Sequence, residues 1–294
     1  MIDSHHHLWD LAAVHYPWLM AKGEARFFGD PAPIQRNYLL PEFRHDAAGF
    51  RGSVHIQVGA QDAMAEAKWV QSVAEAAPDW PLAQVVFCDL TAPDIDAQLT
   101  AFKALSTVRG VRQIVGRAPE EDAASGTNAL LQSADFKRGL RAVAKVGLSF
   151  DLQLTPPLMQ ATAEVLADIP ELPVALCHAG SPFDRTPEGL ALWEKQIAPL
   201  AALPHVRCKL SGLGMFDHRW SVQSIEPIVK TVLNQFGPAR VMFGSNFPVD
   251  SLYSDYATLI AAYQKLIPEP MKAAVFSETA RDFYRLRERC AQQG

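Results

Sequence analysis

Short apolar runs followed by longer amphipathic runs recur eight times along this chain, and that strand-then-helix rhythm leaves few folds open. Strands are expected over residues 1–7, 52–58, 83–89, 110–115, 147–153, 172–178, 205–211 and 240–245. Helices are expected over 62–77, 94–107, 133–146, 157–168, 188–202, 221–236, 254–266 and 270–277. Val174-Ala175-Leu176 and Val241-Met242-Phe243 are continuously apolar, as parallel strands covered on both faces require. Pro93-Asp94, Thr155-Pro156-Pro157 and Thr186-Pro187-Glu188 put proline and a capping residue where helices should begin, and Gly237-Pro238 supplies a stop.

Eight such units in 294 residues fit a (β/α)8 TIM barrel of the α/β class, in a single domain over 1–294. A doubly wound open sheet competes, but it would carry a Gly-rich phosphate loop after its first strand, where this chain has histidines. Residues 10–46, with Tyr16-Pro17-Trp18-Leu19 and Phe27-Phe28-Gly29, form a long first βα connection, expected to cover the strand C-termini as an aromatic lid.

A hydrophobic share of 49% suits a large core. The net charge of −5, with no Lys/Arg-rich block, removes the basic footprint of nucleic-acid binding, and the apolar stretches are too short for a membrane span. The expected partner is a small-molecule substrate. Cys88, Cys177, Cys208 and Cys290 form no Cys-x-x-Cys pair and follow no secretory leader, so they read as reduced thiols of a cytoplasmic protein. A homodimer is compatible with the fold, although nothing in the sequence specifies one.

His5 and His7 stand two residues apart in the first strand and therefore on one face. Two neutral imidazoles on a strand end can converge on a zinc-like cation or on a substrate. If the barrel forms, polar residues at other strand ends face the same mouth, among them His55 and Gln57, Arg112 and Gln113, Asp151 and Gln153, His178, and Lys209 and Ser211. For Gln113, Asp151 and Lys209 a hydrogen-bonded place in the barrel interior is the stronger expectation. His178 follows an apolar strand and precedes a turn, which puts it near the His pair across the mouth.

DSHHHLWD, RGVRQIV, LCHAGSPFDR, CKLSGLGMFDHRW and VMFGSNFPVD, in this order, resemble the amidohydrolase superfamily. The resemblance is to its branch of sugar lactonases and 2-pyrone-4,6-dicarboxylate lactonase, and it spans the chain. It implies a metal-dependent-hydrolase-like barrel in which the first-strand His pair, the sixth-strand His and an eighth-strand Asp surround the reacting centre. Many members hold a divalent metal and some lactonases work without one.

His5, His7 and His178 match as catalytic residues and as ligands of one ion, zinc first among candidates; a metal-free site stays open. The eighth-strand Asp does not match, because Asn246 stands there and an amide cannot shuttle a proton. Three readings remain. Asp250, four residues on, acts as base; His178 or a metal-bound hydroxide serves while Asn246 orients water; or hydrolysis is lost and the chain is a ligand-binding barrel.

The expected reaction is opening of a sugar-acid or dicarboxylate lactone, with cyclic amide hydrolysis or non-oxidative decarboxylation as alternatives. Arg185 and Arg112 are candidates for a substrate carboxylate, since a guanidinium fork matches it. His55, Gln57 and Gln153 are candidates for substrate hydroxyls, and Trp18 and Trp220 for its apolar face.

Overall fold

The computed structural model describes residues 1–118, 121–123 and 126–286. The expectation for Cys290 lies outside them. Eight strands run in sequence order in one parallel sheet: β1 Asp3–His6, β2 Ser53–Ile56, β3 Leu82–Phe87, β4 Val108–Arg112, β5 Ser149–Leu152, β6 Val174–Leu176, β7 Val206–Leu210 and β8 Val241–Phe243. The last strand comes back to the first. Asn246 N–H donates to His5 O at 2.7 Å, and Ser4 Oγ donates to Phe243 O at 2.7 Å, leaving a nearly closed (β/α)8 barrel.

The helices form where capping and periodicity placed them. Ser133 accepts from Phe136 N–H, Thr186 from Gly189 N–H, and Ser221 and Ser224 cap each other, so Ala134–Lys145, Pro187–Ala201 and Val222–Phe236 each start on a satisfied terminus. The expected helix at 270–277 begins as Glu269–Ala273 and passes through a wider turn into Thr279–Phe283.

Two apolar layers hold the barrel. Ile2, Val54, Ile56, Ala83, Val85, Ala175 and Met242 form one cluster with Ala280, Tyr284 and Leu286. The other strand faces pack under the helices in a larger cluster. The inner layer also contains a buried ion pair: Lys209 Nζ lies 2.6 Å from Asp151 Oδ2 and 2.8 Å from Ser4 O, while Tyr284 Oη donates to both Asp151 oxygens at 2.9 Å. Asp151 and Lys209 are therefore interior residues of the barrel.

The strands stop earlier than the apolar runs suggest. β6 ends at Leu176, and the chain then turns left-handed at His178 (φ 54°), Ala179 (φ 50°) and Ser181 (φ 57°); Asn246 after β8 does the same (φ 58°). Non-glycine residues held in this region are uncommon, and they mark the rim of this barrel. The long connection after β1 is ordered by Trp9–Tyr38 bridging, by short helices at Pro17–Met20 and Leu40–Asp46, and by an Arg26–Gly29 turn with 2.8 Å bonds in both directions.

Candidate active site

A cavity of about 430 Å3 opens at the C-terminal ends of the strands. His7, His178 and Asn246 border its inner end, Gln57, Arg112 and Gln153 its side, and Trp9, Trp18, Phe27 and Phe28 of the 10–46 segment another wall. Trp18 is fixed by donating Nε1–H to Val58 O at 2.6 Å.

The imidazoles gather as β1 and the β6 turn bring them. The His5 ring centre lies 5.2 Å from that of His7 and 4.6 Å from that of His178. His178 Nδ1 lies 3.0 Å from Ser211 Oγ. Its ring reaches this position because Gly212 (φ 63°) leaves the space: a Cβ there would overlap His178 Nδ1. Burial, the Arg112 charge, His7 and Lys209 hold His178 well below the usual imidazole range, so the ring is neutral. His5 is neutral for the same reasons, burial first and Lys209 next, and both its ring nitrogens are buried without partners.

His7 carries more information. Its Nδ1 lies 2.8 Å from Ile56 O, which can only accept, so Nδ1 bears the proton. Burial and the Arg112 charge push its pKa down to about 3, so Nε2 then carries a lone pair. Asn246 lies 3.2 Å from Nε2 on one side and 2.8 Å from Asp250 Oδ1 on the other. The structure sets Asn246 Oδ1 against His7 Nε2 and has Nδ2–H donate to Asp250 Oδ1; because His7 with its proton on Nδ1 offers only a lone pair at Nε2, the arrangement that fits this tautomer turns the amide over, so that its N–H donates to His7 and its oxygen accepts from a protonated Asp250. Burial pushes Asp250 up to about 7, which makes that donor available.

A family model described as amidohydrolase matches residues 2–286. The chain belongs to the amidohydrolase family. This amidohydrolase is 34% identical to the uncharacterized protein y4mH of Sinorhizobium fredii over 97% of its own length and 98% of that protein's. It is 30% identical to an L-fucono-1,5-lactonase of Burkholderia multivorans, over 98% of this chain and 96% of the other. A crystal structure of an amidohydrolase from Burkholderia multivorans with bound zinc superposes at a TM-score of 0.82 and 26% identity, covering 97% and 99% of the two chains. Fold and family agree that this amidohydrolase is a hydrolase.

The zinc in that relative raises the question of whether these residues fit one. Neutral imidazoles are suitable donors, and Nδ1 of His7 and of His178 has a partner in Ile56 O and Ser211 Oγ. Among the described residues, however, no three His, Cys, Asp or Glu side chains group as a metal cage. Asn246 lies against His7 Nε2, and among the described residues no carboxylate completes the set. The expected ligands His5, His7 and His178 are neighbours in this amidohydrolase, but as arranged they do not close around an ion.

Other expectations need correction. His55 does not face the cavity: Val54 and Ile56 take the inner face of β2, so His55 points outward, accepts from Leu8 N–H at 3.1 Å and lies 3.6 Å from Glu66. Gln57 reaches the cavity because β2 has already ended. Arg185 donates to Leu213 O at 3.0 Å and is not a wall of the cavity. Trp220 packs beside Gly214, outside it. Asp250 lies behind Asn246 and does not border the cavity. His5, wholly buried, sits beneath the floor.

Arg112, Gln153 and Trp18 do line the cavity. Arg112 donates to Gln57 O at 2.8 Å and Gln153 Oε1 at 3.2 Å. Arg26 was not anticipated from the sequence, and neither was Ser211 as the partner of His178. The one available sign for Arg26 was its place in Arg26-Phe27-Phe28-Gly29, a tight aromatic turn inside the long connection.

Proposed function

We propose that this amidohydrolase opens the lactone of a sugar acid or a dicarboxylic acid by adding water to the ester carbonyl. The observation that carries the reading is His178. Its Nδ1 lies 3.0 Å from Ser211 Oγ; in the tautomer where that nitrogen donates to the hydroxyl, the lone pair is on Nε2 of a ring that borders the cavity, and burial keeps it unprotonated. A water placed between Nε2 and the carbonyl carbon gives up its proton as it attacks.

The ring carbon–oxygen bond then breaks, and the imidazolium returns the proton to the departing oxygen. The low basicity of this buried ring makes its protonated form a strong acid toward an alkoxide. Arg112, close enough to lower both His178 and His7, supplies positive charge for the developing oxyanion. Gln57 and Gln153 present amide N–H groups to substrate hydroxyls, and Trp18 covers the ring. Asn246 and protonated Asp250 hold His7 in place without touching the water. The 30% identical relative named L-fucono-1,5-lactonase supports an ester ring as the target.

The test is a panel of lactones and matched lactams followed by acid release. Lactone opening with kcat reduced about 100-fold or more in His178→Gln is the expected result. Turnover of the lactam alone, carbon dioxide release, or an undiminished His178→Gln enzyme overturns it. The scheme uses only the chain's side chains, so activity should survive chelation; loss on chelation with recovery on adding zinc overturns that part.

A further inference from the structure

The helix Ala63–Ala76 turns Glu66, Ala67 and Val70 toward the barrel, and the first of these is a carboxylate where the stripe calls for an apolar side chain. A first-turn carboxylate ordinarily faces water, where the helix dipole favours it. Glu66 is 3% exposed instead, and among the described residues it meets no Lys or Arg within ion-pair distance. Burying a carboxylate costs stability unless its oxygens are bonded, so its partners show what the position does.

Glu66 Oε1 accepts from Val58 N–H at 2.9 Å. Val58 is the first residue past the β2 ladder: Gln57 N–H still bonds Val85 O at 2.9 Å, and at Val58 the chain leaves the sheet for the helix. The carbonyl of the same residue accepts from Trp18 Nε1–H at 2.6 Å. Gly59 (φ 81°) passes beside the indole, where a Cβ would lie 3.8 Å from Trp18 Nε1. Trp18 in turn sets one wall of the cavity, its ring centre 6.1 Å from that of Trp9 and 6.0 Å from that of Phe28.

Glu66 meets the lid a second time at Tyr16. Burial first and then the Glu66 charge push this phenol up, and Tyr16 O accepts from Leu19 and Met20 N–H at 3.1 Å in the short helix that carries Trp18. One side chain behind the wall thus reaches both the β2 rim and the lid.

We infer that Glu66 is a positioning residue for substrate binding: it fixes Val58, whose carbonyl holds the Trp18 indole against the bound ring. Glu66 does not border the cavity and touches no substrate. The position requires an acceptor oxygen at the reach of glutamate, because the link is a hydrogen bond to a backbone N–H, which a neutral amide oxygen also accepts. Gln57, and with it the Arg112 bond to Gln57 O, stays on the sheet ladder, so loss of the link should fall on binding and leave turnover alone. This takes its substrate from the lactonase reading, whereas the link itself is independent of the bond broken.

The test compares Glu66→Asp, which keeps the charge but falls one carbon short of Val58 N–H, with Glu66→Gln, which keeps the reach and loses the charge. Glu66→Asp should raise KM about 10-fold with kcat within about three-fold, and Glu66→Gln should recover the wild-type KM within about two-fold. In a Trp18→Phe chain, Glu66→Asp should change KM by less than about two-fold, since its effect passes through the indole N–H that phenylalanine lacks. Acrylamide quenching needs no substrate. The signal owed to Trp18, taken as the difference between each chain and its Trp18→Phe partner, should be quenched about two-fold more strongly in Glu66→Asp than in wild type or Glu66→Gln.

A quenching difference of this kind upholds the link even if no lactone is turned over. Wild-type quenching in Glu66→Asp overturns it even if lactones are hydrolysed, and so do KM effects of Glu66→Asp and Trp18→Phe that simply multiply. A folded Glu66→Gln with strongly quenched Trp18 overturns it as well, even if Glu66→Asp does not fold.

Discussion

His7 Nε2 and the Asn246 side chain meet at 3.2 Å, so an amide stands beside this imidazole at the position where the resembling family pattern has an eighth-strand Asp. The amide is held from behind by Asp250 at 2.8 Å. Together they make a buried row of imidazole, amide and carboxyl in which each proton has one consistent place.

Replacing Asn246 with Asp puts two carboxyls in contact within that row. They should share one proton, so Asn246→Asp should be close to wild-type stability at pH 5 and lose about 2–4 kcal/mol at pH 8, read by urea unfolding. The new carboxylate should also help the imidazoles hold zinc. Metal analysis after dialysis should find more zinc per chain in the variant than in wild type; equal and full occupancy in both would show that the wild-type site is already closed.

Stability should also respond to the Asp250 proton. Its carboxyl is pushed up to about 7, so above the ordinary carboxyl range and below 7 the folded chain keeps a proton that the unfolded chain has released. That contribution is complete at low pH and disappears as pH rises through 7. His7, pushed down to about 3, acts oppositely, losing stability as pH falls below the imidazole range. Subtracting an Asp250→Asn curve from the wild-type curve isolates the carboxyl, and the difference should fall by about 3–4 kcal/mol between pH 4 and 8. A difference independent of pH would mean that Asp250 is ionised throughout.

Lys209 and Asp151 predict a different response. Lys209→Met strands a carboxylate in the barrel interior, bonded among the described residues by Tyr284 alone, and should cost about 3–5 kcal/mol in denaturant unfolding. Lys209→Met combined with Asp151→Leu removes both charges and should recover most of it. Failure of the double variant to recover would mean that the pair stabilises beyond mutual neutralisation.

Gly29 bears on the lid. Its φ of 112° suits glycine, and a Cβ there would overlap Tyr253 Oη. Gly29→Ala should displace the Phe28–Tyr253 contact and with it Arg26, raising KM several-fold while the melting temperature moves little. Tyr253→Phe in the same chain removes the overlapping oxygen and should restore part of the loss; an unaltered KM in Gly29→Ala would separate the lid from binding.

How much of this was readable beforehand follows from the range of each cause. The barrel was legible because its cues are local: apolar runs, proline and capping residues repeat within each unit. The cluster of His5, His7 and His178 was legible from their places on strand ends. His55 was misplaced because one residue of register decides the face of a strand, and Val54 and Ile56 won the interior. Arg185 and Trp220 do not line the cavity, an outcome that loop conformation decides. Arg26 was missed because nothing local ties the lid to the cavity.

The residue order by itself determined the eight-unit barrel and the chemistry available at its mouth, since secondary-structure periodicity and side-chain type are properties of short segments. Only the tertiary structure decided that His7, Asn246 and Asp250 stand in one row, that His178 borders the cavity with its Nδ1 beside Ser211, and that three arginines line it. Those outcomes depend on burial and on distances between segments up to 239 residues apart, which no local pattern encodes.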